Sequence, residues 1–399
     1  MPHGMSMPPA TPPLAPALAA MAGLQAVVSI ALFAPGVLAP ALGIDAAMLG
    51  LFPAAVFAVG MATVVWGGTL VGRFGSFGVA RLAMLAVAGS MGLAALAAEY
   101  GAVPFLLAGV LLAFAFGPET PASSALLGRL ATPAQRPLVF SIRQTGNQLG
   151  ALVGSLALPL LATTIDPRLG YLVIAGIAVA AAVLFSAMAG RYDHLTHDAG
   201  GRRVRLVEAL GIVRRDPQML RLALAAGPYS AMQMVLNTYF VTFAVETLDI
   251  PYVIAGLVMA AAQAGGLLGR LGWGLAGLRL FVPGRIVAGL GFGMAAASTA
   301  LALAGEALPV PALGVLMFLF GLTASGWNGV FLAEVARLAP AARVAEATGA
   351  ILVPSFLGLV LAPGLVTLAV LLGGGLAAAY LVLALLTAIS GLSLLRNPR

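Results

Sequence analysis

Twelve runs of about twenty or more mostly apolar residues, broken by arginine, by acidic residues or by Pro-Gly, fill this chain nearly end to end. A helix of that length spans about 30 Å, the thickness of a bilayer's hydrocarbon layer. Such a helix also satisfies its own backbone hydrogen bonds, as lipid demands. Barrel strands are excluded, because the runs are too long and do not alternate. The first six runs read roughly as 17–42, 47–71, 79–98, 104–128, 138–163 and 169–190. The second six read roughly as 219–247, 252–277, 284–305, 309–335, 346–372 and 374–395. Composition agrees. Of 399 residues, 61% are hydrophobic and 8% charged, where a soluble domain has about 25% charged. So few charges cannot coat a water-facing surface, which excludes a soluble enzyme, a nucleic-acid-binding module and a disordered scaffold. The chain reads as an all-α membrane protein.

The formal charge of +7 comes from arginines alone, scattered between apolar blocks rather than along one stripe, so no nucleic-acid partner is expected. No cysteine is present, and the three histidines (His3, His194, His197) are too few for metal or triad chemistry. No cofactor or metal is expected, and no nucleophile–base pair marks an enzyme.

Orientation follows from the arginines. With the first end in the cytoplasm, Arg73, Arg81, Arg129, Arg136, Arg191, Arg202 to Arg215, Arg279, Arg285, Arg337, Arg343, Arg396 and Arg399 all fall on cytoplasmic connections. Only Arg168 falls opposite, among Asp45, Glu99, Asp166, Glu246, Asp249 and Glu306. The positive-inside rule then places both termini in the cytoplasm, with the protein multi-pass in the cytoplasmic (inner) membrane. Residues 1–16, with six prolines and no arginine, read as a cytoplasmic tail rather than a cleaved signal. A six-helix bundle follows over 17–190, then a cytoplasmic linker over 191–218, a second bundle over 219–395 and a short tail over 396–399. In the linker Leu206, Leu210 and Val213 recur at helical spacing beside Arg205, Glu208 and Arg214, predicting a short amphipathic surface helix.

The two bundles repeat one another. Trp66-Gly67 and Trp273-Gly274 are 207 residues apart, each leading toward an arginine, Arg73 and Arg279. Ala131-Thr132-Pro133-Ala134-Gln135-Arg136 lies at the same offset from Leu338-Ala339-Pro340-Ala341-Ala342-Arg343. Two coincidences at one spacing indicate parallel six-span repeats in two pseudo-symmetric bundles, a plan that places a transporter's substrate between the halves. On these residues the chain resembles the major facilitator superfamily over nearly its whole length. The turn Gly68-Thr69-Leu70-Val71-Gly72-Arg73-Phe74-Gly75 is similar to that family's gating-loop pattern G-x-L-x-D-R-x-G, with Gly72 where the family has Asp. The comparable region of the second copy holds Gly274, Gly277 and Arg279. The fifth span carries Gly146, Gly150, Gly154 and Pro159 without the Gly-Pro pair common in the family's drug/proton antiporters. Its glycine stripe reads mainly as helix packing.

Function is sought where a residue costly in lipid is retained. Glu119 lies mid-span in Phe116-Gly117-Pro118-Glu119-Thr120-Pro121, where two prolines predict a kinked, broken helix lined by Thr120, Ser123 and Ser124. It reads as a proton acceptor, as the counter-ion of a cavity arginine, or as a structural glutamate neutralised by a neighbouring arginine. Arg143 stands two turns into the fifth span, on the glycine stripe, with Asn147 one turn on and Gln144 and Gln148 beside it. It faces a partner helix or a ligand, or it snorkels to the headgroups. Arg270, four residues before Gly274, is similar in placement to the eighth-span arginine that binds the substrate carboxylate in the family's monocarboxylate and oxalate/formate branch. A guanidinium suits a carboxylate bidentately. The resemblance implies that spans one, four, seven and ten line the cavity. Gln25 with Ser29, Tyr229 with Gln233 and Asn237, and Trp327 with Asn328 supply polar groups there. Two arginines against one glutamate favour an anion over a cation. A monoanion entering an inside-negative cell is opposed by about 2.3 kcal/mol per 100 mV, which one accompanying proton removes. The expectation is a monomeric secondary transporter moving a small organic anion, most simply a carboxylate, by alternating access with proton symport. The alternative is proton-driven efflux of a hydrophobic or drug-like compound.

Overall fold

The computed structural model of the chain describes residues 12–197, 211, 213–279, 283–340 and 343–395. The tail over 1–11, the linker positions Arg205, Leu206, Glu208 and Leu210, and residues 396–399 lie outside the described residues. Among the described residues, twelve long helices carry the fold: α1 Leu14–Leu42, α2 Ala46–Phe74, α3 Ser76–Ala95, α4 Ala102–Leu130, α5 Arg136–Thr164 and α6 Pro167–Tyr192 form the first set. The second set is α7 Pro217–Glu246, α8 Tyr252–Arg279, α9 Pro283–Ala304, α10 in two pieces (Val310–Ala324 and Trp327–Leu338), α11 Val344–Leu371 and α12 Gly375–Leu395. Among the described residues there is no strand.

Ten of the spans are long and apolar enough to cross a membrane on composition alone. The other two are α5 and α7, the helices that carry Arg143, Gln144, Asn147 and Gln148, and Gln233 and Asn237. Their lower hydropathy is itself a pointer to the interior. Leu160, Val183, Leu257 and Leu385 stand exposed around the outside, where lipid replaces water as their solvent. Asp-Pro steps open α6 and α7. Asp166 and Asp216 accept the first free backbone N–H groups while Pro167 and Pro217 begin the turn. Asp45 caps α2 through the N–H of Met48 at 2.8 Å.

Packing repeats with the sequence. In the first half α1 lies on α5, α2 on α4 and α3 on α6; in the second α7 lies on α11, α8 on α10 and α9 on α12. Across the seam α5 meets α8 and α2 meets α11, which are each other's counterparts, and α1 meets α7. The seam is closest near the acidic ends of the helices. A Cβ on Gly36 would sit 2.4 Å from the carbonyl oxygen of Thr238, and one on Gly256 would sit 2.7 Å from that of Ser155. Tyr252 donates from its hydroxyl to the Val37 carbonyl at 2.9 Å. Toward the arginine-rich ends the halves part around a crevice.

Two local expectations need correction. The α4 helix is not broken, since Pro118 and Pro121 sit inside a continuous helix. The break falls instead in its counterpart α10, at Ser325-Gly326. Side chains of α8 take the carbonyls freed there: Trp273 donates from Nε1 to Leu322 at 2.8 Å and Arg270 from Nε to Ser325 at 3.1 Å. The expected gating loop is also mostly helix. Gly68, Gly72 and Arg73 lie in the last turns of α2, which runs on until Gly75 turns the chain at φ 75°. Glycine does not end a helix where lipid leaves the backbone no other partner. Gly274 and Arg279 likewise lie within α8.

Candidate functional site

Glu119 and Arg143, on α4 and α5, find each other. Arg143 donates from Nη1 to Glu119 Oε1 at 3.0 Å, with only 3% and 6% of the two side chains exposed. Ser123 Oγ accepts a second bond from the same nitrogen. The Ser123 hydroxyl in turn donates to the Glu119 carbonyl at 2.9 Å, and Thr120 donates to Glu119 Oε2 at 3.1 Å. Stripping water from two charges costs several kcal/mol each, so these added hydrogen bonds are needed to hold both ionised. Arg143 Nε stays buried and unpartnered. The guanidinium points into the first half, so Arg143 does not snorkel to the headgroups.

The glycine stripe beside it is a packing surface. A Cβ on Gly146 or Gly150 would come within 2.3 Å of the α1 carbonyls of Ala22 and Ala26. Ser29 donates to both the carbonyl and the side-chain oxygen of Asn147 at 2.7 Å, fixing α1 on α5. Gln25 Oε1 is buried without a partner.

A second cluster crosses the seam. Gln148 on α5 donates from Nε2 to Gln263 Oε1 on α8 at 3.4 Å, and Gln263 donates to Asn237 Oδ1 on α7 at 2.6 Å. Asn237 then donates to the Gln233 carbonyl at 2.6 Å. Gln233 Oε1 accepts from Trp327 Nε1 at 3.2 Å and Asn328 Nδ2 at 3.3 Å on α10. Gln263 escaped notice in the sequence: one amide in an Ala/Gly-rich helix has no local signature and gains meaning only from its partners. Tyr229 does not join this cluster. Its hydroxyl donates to the Val287 carbonyl on α9 at 3.0 Å, and its ring meets Trp327 edge-on.

Arg270 lines the crevice between the halves, a cavity of about 160 Å³, together with Phe140, Gln144 and Thr145 of α5 and Asn328 and Leu332 of α10. Among the described residues, no carboxylate lines it. Only Nε of Arg270 is used on Ser325.

At the arginine-rich face, Asp193 was missed because it sits in a stretch that reads as linker. It accepts from the backbone N–H of Phe77 at 2.7 Å and of Gly78 at 2.9 Å, pinning the start of α3. A Cβ on Gly75 would lie 2.3 Å from its carboxyl carbon, so the turn has room only for glycine. Burial pushes the Asp193 carboxyl up, opposed by the two backbone bonds and by the charges of His197 and Arg81. Arg73 stacks over Phe74, 5.2 Å from the ring centre.

The sequence profile of the Major Facilitator Superfamily matches residues 17–363. The chain belongs to this superfamily. Solved superfamily-type transporters share its fold at low identity. A peptide transporter of the POT type, in complex with sulfate, is 16% identical with a TM-score of 0.74, covering 95% of this chain and 93% of its own. The nucleoside transporter NupG is 13% identical with a TM-score of 0.79, covering 96% and 99%. The fucose:proton symporter FucP of E. coli is 15% identical with a TM-score of 0.62, covering 94% and 97%. No curated protein sequence matches the chain. Superfamily membership makes it a multi-pass membrane transporter rather than an enzyme.

Proposed function

We propose that the protein carries a small organic anion, most simply a carboxylate, across the cytoplasmic membrane by alternating access, with one proton moving in the same direction. In this reading 17–190 and 219–395 are the moving bundles, both termini are cytoplasmic and the monomer is the working unit. One observation carries the cargo assignment. Glu119 compensates Arg143, whereas Arg270 borders the crevice with no acid among the described crevice-lining residues. A guanidinium walled by Phe140, Leu271 and Leu332 attracts an anion and repels a cation. Its two terminal nitrogens can hold a carboxylate bidentately while Nε keeps Ser325. Efflux of cationic drugs fits this charge poorly.

Glu119 is the proposed proton site. Protonation removes its charge and frees Arg143, so loading a proton and releasing a second guanidinium become one event. Uptake of radiolabelled carboxylates into proteoliposomes tests the reading. Arg270→Ala should reduce uptake at least tenfold, Arg270→Lys should restore part of it, and Glu119→Gln should abolish acceleration by an inward proton gradient. Full carboxylate uptake by Arg270→Ala would refute the anion assignment.

A further inference from the structure

Among the described residues, the amide chain crosses from one half to the other at a single side-chain link, and that link is its longest. Gln148 to Gln263 spans 3.4 Å, against 2.6 Å for Gln263 to Asn237 and Asn237 to Gln233. Both residues are sealed, at 2% and 1% exposure. Gln148 lies flat on α8, where a Cβ on Gly266 would be 2.2 Å from its Nε2. Interhelical amides that act only as glue, at about 0.6 kcal/mol each, belong inside a rigid body. This pair joins α5 to α8, which must slide apart in each transport cycle, so its two polar groups need another partner when the halves part.

A hydroxyl group on the cargo has the chemistry to be that partner. It accepts from the Gln148 amide N–H and donates to Gln263 Oε1 at once, which a carbonyl, an ammonium or a hydrocarbon cannot do. Gln263 and Arg270 lie on one face of α8, seven residues or two turns apart, about 10 Å along the axis. Asn328 links the two ends, bordering the crevice with Arg270 and bonding to Gln233 Oε1.

Resting on the anion reading of Arg270, we infer that the cargo is a hydroxylated carboxylate, an extended polyol acid of the sugar-acid type. Its carboxylate sits at Arg270 and a distal hydroxyl is inserted between Gln148 and Gln263. The amide pair thereby sets specificity, and the hydroxyl bridges the two halves.

Calorimetric titration of the purified protein with gluconate and with hexanoate, acids of equal chain length differing in their hydroxyl groups, tests this. The wild type should bind gluconate at least about tenfold more tightly, the yield of about one well-made hydrogen bond. Gln263→Leu and Gln148→Leu should erase that preference while leaving hexanoate binding in place. Gln263→Asn is a milder variant should leucine impair folding, and should weaken gluconate selectively. Arg270→Ala should remove binding of both acids. Arg270-dependent binding without preference for gluconate overturns the hydroxyl inference and leaves the anion reading standing. Failure of the wild type to bind either acid overturns both.

Discussion

A carboxylate and a guanidinium sealed between α4 and α5 are costly to keep, and losing one partner is costlier than losing both. Glu119→Gln leaves Arg143 buried without a counter-charge, a loss expected at about 3–5 kcal/mol. Removing both charges, as in Glu119→Gln with Arg143→Met, should recover most of it. Thermal or denaturant unfolding in detergent separates the cases: equal instability of the single and double variants would mean that the pair is not ionised together. Residues of this kind were legible in the sequence because a charge in a lipid-soluble helix is rare enough to stand out. Which arginine the glutamate would pair with was not legible. That depends on how α4 lies on α5, and both Arg143 and Arg270 were open. Gln263 and Tyr229 show the other side of this limit. An amide or a phenol is cheap enough in a helix that only the partner it meets decides whether it faces the cavity or another helix.

At the scale of elements, glycine and one aspartate do what loops do elsewhere. Gly321 on α10 and Gly265 on α8 let the two helices touch through their backbones, since a Cβ at either would overlap a carbonyl oxygen of the partner helix, that of Ala262 or Phe318. Gly321→Val should therefore lower thermal stability by more than the same change at Gly314, which has open space around it. Asp193 holds the start of α3, and its raised pKa has a defined sign. Between the unfolded and folded pKa values the folded state binds more protons, so stability falls as pH rises through that window. Asp193→Asn should flatten this part of the stability profile, and an unchanged slope would mean that the carboxyl is not the titrating group. Helix spans were readable because apolar length is a long-range, redundant signal. The break in α10 was not, because Ser325-Gly326 is weaker punctuation than Pro118 and Pro121, and it opens only where Trp273 and Arg270 stand ready to take the freed carbonyls.

For the whole molecule, the seam is closed near its acidic ends and parted near its arginine-rich ends, which the proposed rocking of two halves takes as one of its terminal states. The repeat offset of 207 foreshadowed this symmetry: helices packed in the same pairs within each half present equivalent surfaces to one another, so tilting them exchanges which end is shut. The chain has no cysteine, so a single introduced thiol reports its position without background. Gln144→Cys, exposed at the crevice, should react with a membrane-impermeant maleimide added on the arginine-rich side. Thr238→Cys, buried against Gly36, should be protected on both sides in this state. A cargo that drives the exchange should reverse the pattern, protecting position 144 and exposing position 238 from the acidic side. Reciprocal change at the two positions is what two rigid halves around one site require. If both positions became protected together, the cargo would be held in an occluded state, and the return of position 238 to accessibility would then have to track its release. If position 144 alone responded, the motion would be confined to α5 and α10 near the crevice, and the rocking of whole halves would be wrong for this protein.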